Sequence, residues 1–221
     1  MKELSKIKFW LFDLDNTLYS GDTKVFDQVD KKMSKFISEK LKVSLEEAKK
    51  IQKNYFHEYN TTLNGMIKNH DINANEFLEF VHDVDLGFLK KDEPLKTEIE
   101  KLKGKKIIFT NGSKAHASNV TSKIGIEQLF DGVFDIVDSD FYPKPSIEPY
   151  KKIIENYKIE PEYCIFFEDI ARNLKPAYEL GMKTVWIENN EPWAAKYSDE
   201  EFVNYKTGSL TNFLKEINEH R

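Results

Sequence analysis

A single cysteine, Cys164, stands in this chain of 221 residues, so no disulfide can form within it. It sits in the apolar run Cys164-Ile165-Phe166-Phe167, which points to a packed core thiol and not to a nucleophile. No apolar stretch approaches the ~20 residues needed to cross a bilayer. Residues 1–6 lack the apolar core of a signal peptide, so a cytoplasmic location without a membrane partner is expected. Long blocks of one charge sign are also missing: 33 basic residues are mixed among 38 acidic ones, for a net charge of −5. That disfavours a nucleic acid polymer as a backbone-bound ligand. A small anionic substrate remains open, because local charge matters more than the total. There is no internal repeat or low-complexity segment, and from about residue 20 to 92 no convincing strand pattern.

What is present falls into two textures. Residues 7–12, apolar except for Lys8, read as a short buried strand. Val25, Val29, Met33, Phe36, Ile37 and Leu41 then recur at helical spacing. Ser44 followed by Glu47 forms a capping box for a helix reaching about Tyr59, and residues 75–81 repeat the helical pattern. After Pro94 the chain alternates. Strands are expected at 106–110, 133–137, 163–167 and 183–187. Helices are expected at 95–102, after the turn 110–113 to about 124, 146–157, after Asp169 to 180, and 209–219. Alternating βα units imply a parallel sheet with helices on both faces. The fold expected is therefore α/β: a Rossmann-like core formed by residues 1–18 and 93–221, with an all-helical cap, 19–92, inserted after the first strand.

Ligand sites in open parallel sheets lie beyond the carboxyl ends of the strands. Four such ends or adjoining loops carry polar residues: Asp13 and Asp15, then Thr110-Asn111, then Lys144, then Glu168-Asp169. Each has a bland reading alone, as a strand end, a solvated lysine or a helix cap. Together at one sheet edge they suit phosphoryl transfer. Asp13 is expected to attack phosphorus. Asp15 is expected to protonate the leaving oxygen and then activate water. Asp13, Asp169 and the backbone carbonyl of Asp15 offer the oxygen ligands that Mg²⁺ takes. Lys144, Thr110 and backbone N–H groups near Asn111-Gly112 would hold the phosphate oxygens.

These residues resemble the motifs of the haloacid dehalogenase superfamily. Phe12-Asp13-Leu14-Asp15-Asn16-Thr17-Leu18 is similar to its first motif, Thr110-Asn111-Gly112 to its second, Lys144-Pro145 to its third and Phe167-Glu168-Asp169 to its fourth. In that superfamily, dehalogenases lack a carboxylate at the position of Asp15 and transport ATPases carry Thr. The resemblance thus implies a phosphatase or phosphomutase. It also places Glu168, where many members have a second Asp, and Asn173 behind the metal ligands as supporting groups.

A narrower resemblance, to the pyrimidine 5′-nucleotidase type, rests on four segments. They are residues 59–65, with Asn60 where that group tends to have Gly, and residues 80–86, 110–117 and 144–150. It implies hydrolysis of UMP- and CMP-like substrates; Tyr59, Thr61, Thr62 and His82 are candidate specificity residues, with Thr61 and Thr62 equally suited to capping a helix. Tyr55, Phe56 and Tyr59 are candidates for stacking on a base, though helical spacing equally suits core packing. His82 and Asp83 form no recognisable metal pair and read as a hinge between cap and core. His57, His70, His116 and His220 form no ligand pattern and read as structural or exposed, and Trp186 and Trp193 as packing residues. The alternatives are a phosphatase of another small phosphomonoester (a sugar phosphate or phosphoglycolate), a phosphomutase, or a silent fold that binds a phospho-ligand or a partner protein. The oligomeric state is left open.

Overall fold

The computed structural model describes residues 2–189 and 191–220. Strand β1 (Phe9–Phe12) is followed by four helices, α1 (Val25–Leu41), α2 (Leu45–Tyr59), α3 (Thr62–His70) and α4 (Ala74–His82). The chain then alternates through α5 (Glu93–Lys101), β2 (Lys105–Phe109), α6 (Lys114–Ile124), β3 (Gly132–Phe134), α7 (Ile147–Tyr157) and β4 (Cys164–Glu168). It ends with α8 (Leu174–Glu179), β5 (Lys183–Ile187), α9 (Pro192–Ala195), β6 (Tyr205–Thr207) and α10 (Leu210–Glu219). All six strands are parallel, in the order β3-β2-β1-β4-β5-β6. β1 is thus central, with β2 on one side and β4 on the other, and chain order reverses there. Such a switch point opens a crevice at the carboxyl ends of the strands.

The period-2 alternation of strands explains why β1 is apolar throughout. Trp10 and Phe12 face a cluster with Ile108, Ile165, Phe167 and Val185, covered by α5, α6 and α10. Phe9 and Leu11 face the opposite cluster, with Ile107, Phe109, Phe166 and Trp186, covered by α7 and α8. Phe12 stacks on Phe167 at 4.9 Å between ring centroids, locking β1 to β4 where the chemistry begins. Each buried aromatic of this kind contributes roughly 1.5–3 kcal/mol. Cys164 is fully buried in the second cluster, as expected, and burial pushes its thiol pKa up.

The helices α1–α4 form a lobe with its own core, including Val29, Phe36, Ile37, Met66, Phe77 and Val81. Ser44 caps α2 by accepting from the Glu47 N–H at 3.2 Å, as its sequence predicts. Asn60, at φ 68°, ends that helix in the left-handed region, which Asn tolerates.

Some expectations are corrected. β3 stops at Phe134 and not at residue 137. The Asp135 carboxylate accepts from Val137 N–H (3.0 Å), Asp138 N–H (2.9 Å) and Lys114 N–H (2.8 Å), which folds the chain into a turn. A 3₁₀ turn at Ala171–Asn173 precedes α8, where one continuous helix was predicted. Edge strand β6 was not predicted, and helix α3, which lies in the expected helical block, was not delimited there. Among the described residues no helix is long and apolar enough to cross a membrane.

Candidate active site

β1 delivers Asp13 to the sheet edge. Its N–H donates to Phe167 O at 2.9 Å, which extends the β1–β4 pairing by one residue. One carboxylate oxygen accepts from Lys144 Nζ (2.8 Å) and the other from Thr17 Oγ1 (3.1 Å). Lys144 is 2% exposed, and its three protons go to Asp13, Glu168 Oε2 (2.7 Å) and Phe109 O (2.8 Å). Asn111 brackets the Lys144 backbone: its Oδ1 accepts from Lys144 N–H (2.9 Å) and its Nδ2 donates to Lys144 O (3.4 Å). The Asn111 side chain is thus engaged with the Lys144 backbone and positions that residue. Thr110 is buried, and its Oγ1 accepts from Gly112 N–H at 2.9 Å, which leaves the hydroxyl proton free to donate outward. It also uses up one backbone N–H that was expected to face phosphate.

Asp13, Glu168 and Asp169 offer carboxylate oxygens that all lie within 4.8 Å of one another. Asp169 Oδ2 accepts from Asn189 Nδ2 (2.8 Å), and its carbonyl accepts from Trp186 Nε1 (2.7 Å), so Trp186 does more than pack. Glu168 reaches Lys144 with one oxygen and accepts from Ile170 N–H (3.0 Å) with the other, a supporting role that its extra methylene permits. Asn173 is buried nearby, but its side chain makes no hydrogen bond to these carboxylates; its backbone carbonyl takes the Tyr150 hydroxyl at 2.5 Å.

Burial, then the charge of Glu168, pushes Asp13 up to about 7. Burial, Glu168 and Asp13 raise Asp169 well above the carboxylate range. Burial works against the Lys144 ammonium, yet Asp13 and Glu168 outweigh it and raise its pKa. When all are ionised, three carboxylates face one ammonium, and a divalent cation cancels the excess. The donor set is oxygen only and suits a hard ion such as Mg²⁺.

A prediction follows for stability. An acid whose folded pKa is raised stabilises the fold fully below its unfolded value and loses that contribution as pH rises through the folded value. For Asp13 that window runs from 3.8 to about 7. In chelator, the melting temperature is expected to fall between pH 5 and pH 8, and Mg²⁺ should restore it most at pH 8. A flat profile, or an equal Mg²⁺ effect at every pH, would contradict the site.

Asp15 sits two residues on. Its Oδ1 accepts from Tyr19 OH (2.5 Å) and pairs with His116 Nε2 (2.8 Å). Burial pushes this carboxyl up, but His116 and Tyr19 outweigh burial and hold it below its usual range. Of the two readings of His116, structural or exposed, the second is excluded: it is buried and touches the second carboxylate of the first motif. A signal was present. Ser113 is a good N-cap, which places residue 116 in the first turn of a helix rising from the sheet edge.

The predicted lobe candidates divide. Thr61 caps α3 by accepting from Asn64 N–H (3.1 Å), and buried Thr62 donates to Gln52 O (3.4 Å). Tyr59 packs edge-on against Tyr55 at 5.6 Å, with Lys68 over its ring. All three are engaged within the lobe. Lobe side chains that reach the core include His82, stacked on His116 at 4.3 Å, and Phe56. Phe56 meets Trp193 edge-on at 5.2 Å and lies under the Arg172 guanidinium at 4.8 Å.

A switch-point crevice lined by a lysine-bridged carboxylate cluster, with a further carboxylate two residues from the first, defines a phosphatase-type hydrolase. The model of the haloacid dehalogenase-like hydrolases matches residues 7–181, and the chain belongs to that family. It is 30% identical over 232 residues to phosphate metabolism protein 8 of Saccharomyces cerevisiae, covering 95% of this chain and 70% of the yeast protein. It is 27% identical over 227 residues to the glyceraldehyde 3-phosphate phosphatase of Methanocaldococcus jannaschii, covering 94% and 96%. The crystal structure of a phosphatase of this family from Thermococcus onnurineus shares the fold, with a TM-score of 0.62, 21% identity and coverage of 96% and 98%.

Proposed function

We propose that this chain is a Mg²⁺-dependent phosphomonoester hydrolase acting through an aspartyl-phosphate, with a pyrimidine nucleoside 5′-monophosphate as its substrate. The observation that carries the reaction is the buried Asp13–Lys144–Glu168–Asp169 cluster with Asp15 beside it. Asp13, Asp169 and the Asp15 carbonyl would hold Mg²⁺, which when bound offsets the repulsion between an anionic nucleophile and an anionic phosphate. Asp13 forms a bond to phosphorus as the P–O bond to the leaving group breaks, and Asp15 gives that oxygen its proton. Water then attacks phosphorus and returns a proton to Asp15, the bond to Asp13 breaks, and phosphate is released. Asp15 is held ionised in the free site. A phosphate dianion arriving beside it raises its proton affinity, so the acid form arises on binding. Lys144 and the Thr110 hydroxyl stabilise the charge that moves onto the phosphate oxygens.

In the same reading, residues 19–92 act as a cap over a core of residues 1–18 and 93–221. The nucleotide assignment rests on the resemblance of residues 59–65, 80–86, 110–117 and 144–150. It is supported by Phe56, Arg172 and Trp193, an aromatic and cationic group between lobe and core that suits a planar base. The name of the Methanocaldococcus jannaschii relative favours a second reading, a three-carbon sugar phosphate.

The test is phosphate release from nucleoside monophosphates, glyceraldehyde 3-phosphate, other sugar phosphates and phosphoglycolate, with and without Mg²⁺. Release from UMP and CMP above AMP and GMP, with a raised KM in Phe56→Ala, is the expected result. Preference for glyceraldehyde 3-phosphate would select the second reading. A folded, Mg²⁺-binding protein that releases phosphate from none would overturn both.

A further inference from the structure

Asp15 has an asymmetric environment. Tyr19 OH and His116 Nε2 both bond to Oδ1, which fills the two lone pairs of that oxygen. Oδ2 has no hydrogen-bond partner among the described residues. The two anchors are independent in origin: Tyr19 lies four residues along the first loop, while His116 comes from α6, 101 residues away. Both are buried.

His116 is itself held in an unusual way. A histidine that orients another group is ordinarily fixed by a hydrogen bond at its second ring nitrogen. Here Nδ1 is buried and has no partner among the described residues, so beyond the Nε2 bond to Asp15 it is packing that sets the ring plane. That packing is His82, parallel to it at 12° and 4.3 Å, from the last turn of α4 in the helical lobe. Ser113 ties the pair together: its Oγ hydrogen-bonds His82 Nδ1 (3.0 Å) and accepts the His116 N–H (3.3 Å).

We propose that Tyr19 and His116 are positioning residues that pin Oδ1 of Asp15 and so present Oδ2 as its proton-carrying oxygen, with His82 of the lobe buttressing His116. This rests on the reading of Asp15 as the acid and base of the reaction. Rotation of an unpinned carboxyl would leave the proton misaligned with the leaving oxygen. The defect is largest for poor leaving groups, which need the proton most, and smallest for good ones, which depart without it.

The experiment measures kcat/KM, which reports formation of the aspartyl-phosphate, for ring-substituted phenyl phosphates of similar size and graded leaving-group acidity. Asp15→Asn is the reference for loss of the acid. His116→Leu is expected to lower kcat/KM by about 10- to 100-fold for unsubstituted phenyl phosphate and by under about 3-fold for p-nitrophenyl phosphate, within the range of acid catalysis. His116→Gln keeps an N–H donor near Nε2 and should recover most of the loss. Tyr19→Phe, which removes one hydroxyl, should steepen the same dependence by less and covers the case in which His116→Leu fails to fold. His82→Ala should act in the same direction as His116→Leu, and add nothing to it in the double variant. Equal losses across the series in the His116 and Tyr19 variants, with a steepened series in Asp15→Asn, would overturn the positioning role and leave the acid reading standing. An unchanged slope in Asp15→Asn, or a wild-type enzyme inert to the whole series, would overturn the acid reading and the positioning role with it.

Discussion

Asp13→Asn is expected to lower phosphate release by about 10⁴-fold or more, the scale seen when a catalytic nucleophile is removed. The substitution is nearly isosteric. An amide oxygen still accepts from Lys144 Nζ, and the amide nitrogen can donate to Thr17 Oγ1, so both contacts of the side chain survive. On the proposed mechanism what is lost is the nucleophile, because an amide cannot form the acyl phosphate, and one negative ligand for Mg²⁺. The same change should act on stability with the opposite sign. In the metal-free protein Asp13 is pushed up to about 7 by burial and by Glu168, so its ionised form opposes the fold at neutral pH. Asp13→Asn in chelator at pH 8 should therefore melt above the wild type, and Mg²⁺ should add less to it. Retained turnover in a purified variant would remove Asp13 from the reaction. A lowered melting temperature in chelator would contradict the electrostatic account.

Lys144→Met carries the largest expected cost in stability, about 3–5 kcal/mol, the scale for breaking a buried charge pair from one side. The side chain is held over the rings of Phe109 and Phe166, and a Met of similar length keeps that apolar packing. The ammonium is not replaced. Asp13, Glu168 and the Phe109 carbonyl each lose a donor in a buried site, and the two carboxylates face one another and Asp169 without a cation. Urea unfolding with and without Mg²⁺ measures the effect. Adding Glu168→Gln should recover part of it by removing one of the unbalanced charges, so the double variant should be more stable than Lys144→Met alone. A loss below about 1 kcal/mol, the range of an exposed ion pair, would mean that the lysine is not the counter-charge of this site.

Much of the fold was legible because local pattern and burial coincide. Residues 9–12 are buried on both sides, and a wholly apolar run is what a central parallel strand requires. The helical block ahead of β2 carried its own periodicity and caps, and among the described residues it contains no strand. The elements that escaped lack such signals. β6 is three residues at the sheet edge, none of them fully buried, so no apolar run marks it. Helix α3 follows α2 almost at once, across the left-handed Asn60, and its polar residues blur the periodicity. β3 was drawn too long because Val133 to Val137 is apolar apart from Asp135, and that side chain turns the backbone.

The candidate site divides in the same way. The sequence by itself determined which acids and which lysine stand at strand ends and loops, because a strand that stops where a carboxylate begins is a local event. Tertiary structure alone decided what those groups touch. That Asn111 holds the Lys144 backbone, that Trp186 and Asn189 hold Asp169, and that His116 reaches Asp15 while stacked on His82 are contacts across 17 to 101 residues of chain. Hydrogen bonds and ring contacts at that separation leave no periodicity and no spacing rule in the chain. They arise only when the parallel sheet brings the carboxyl ends of β1, β2, β4 and β5 to one edge and the lobe closes α4 against α6.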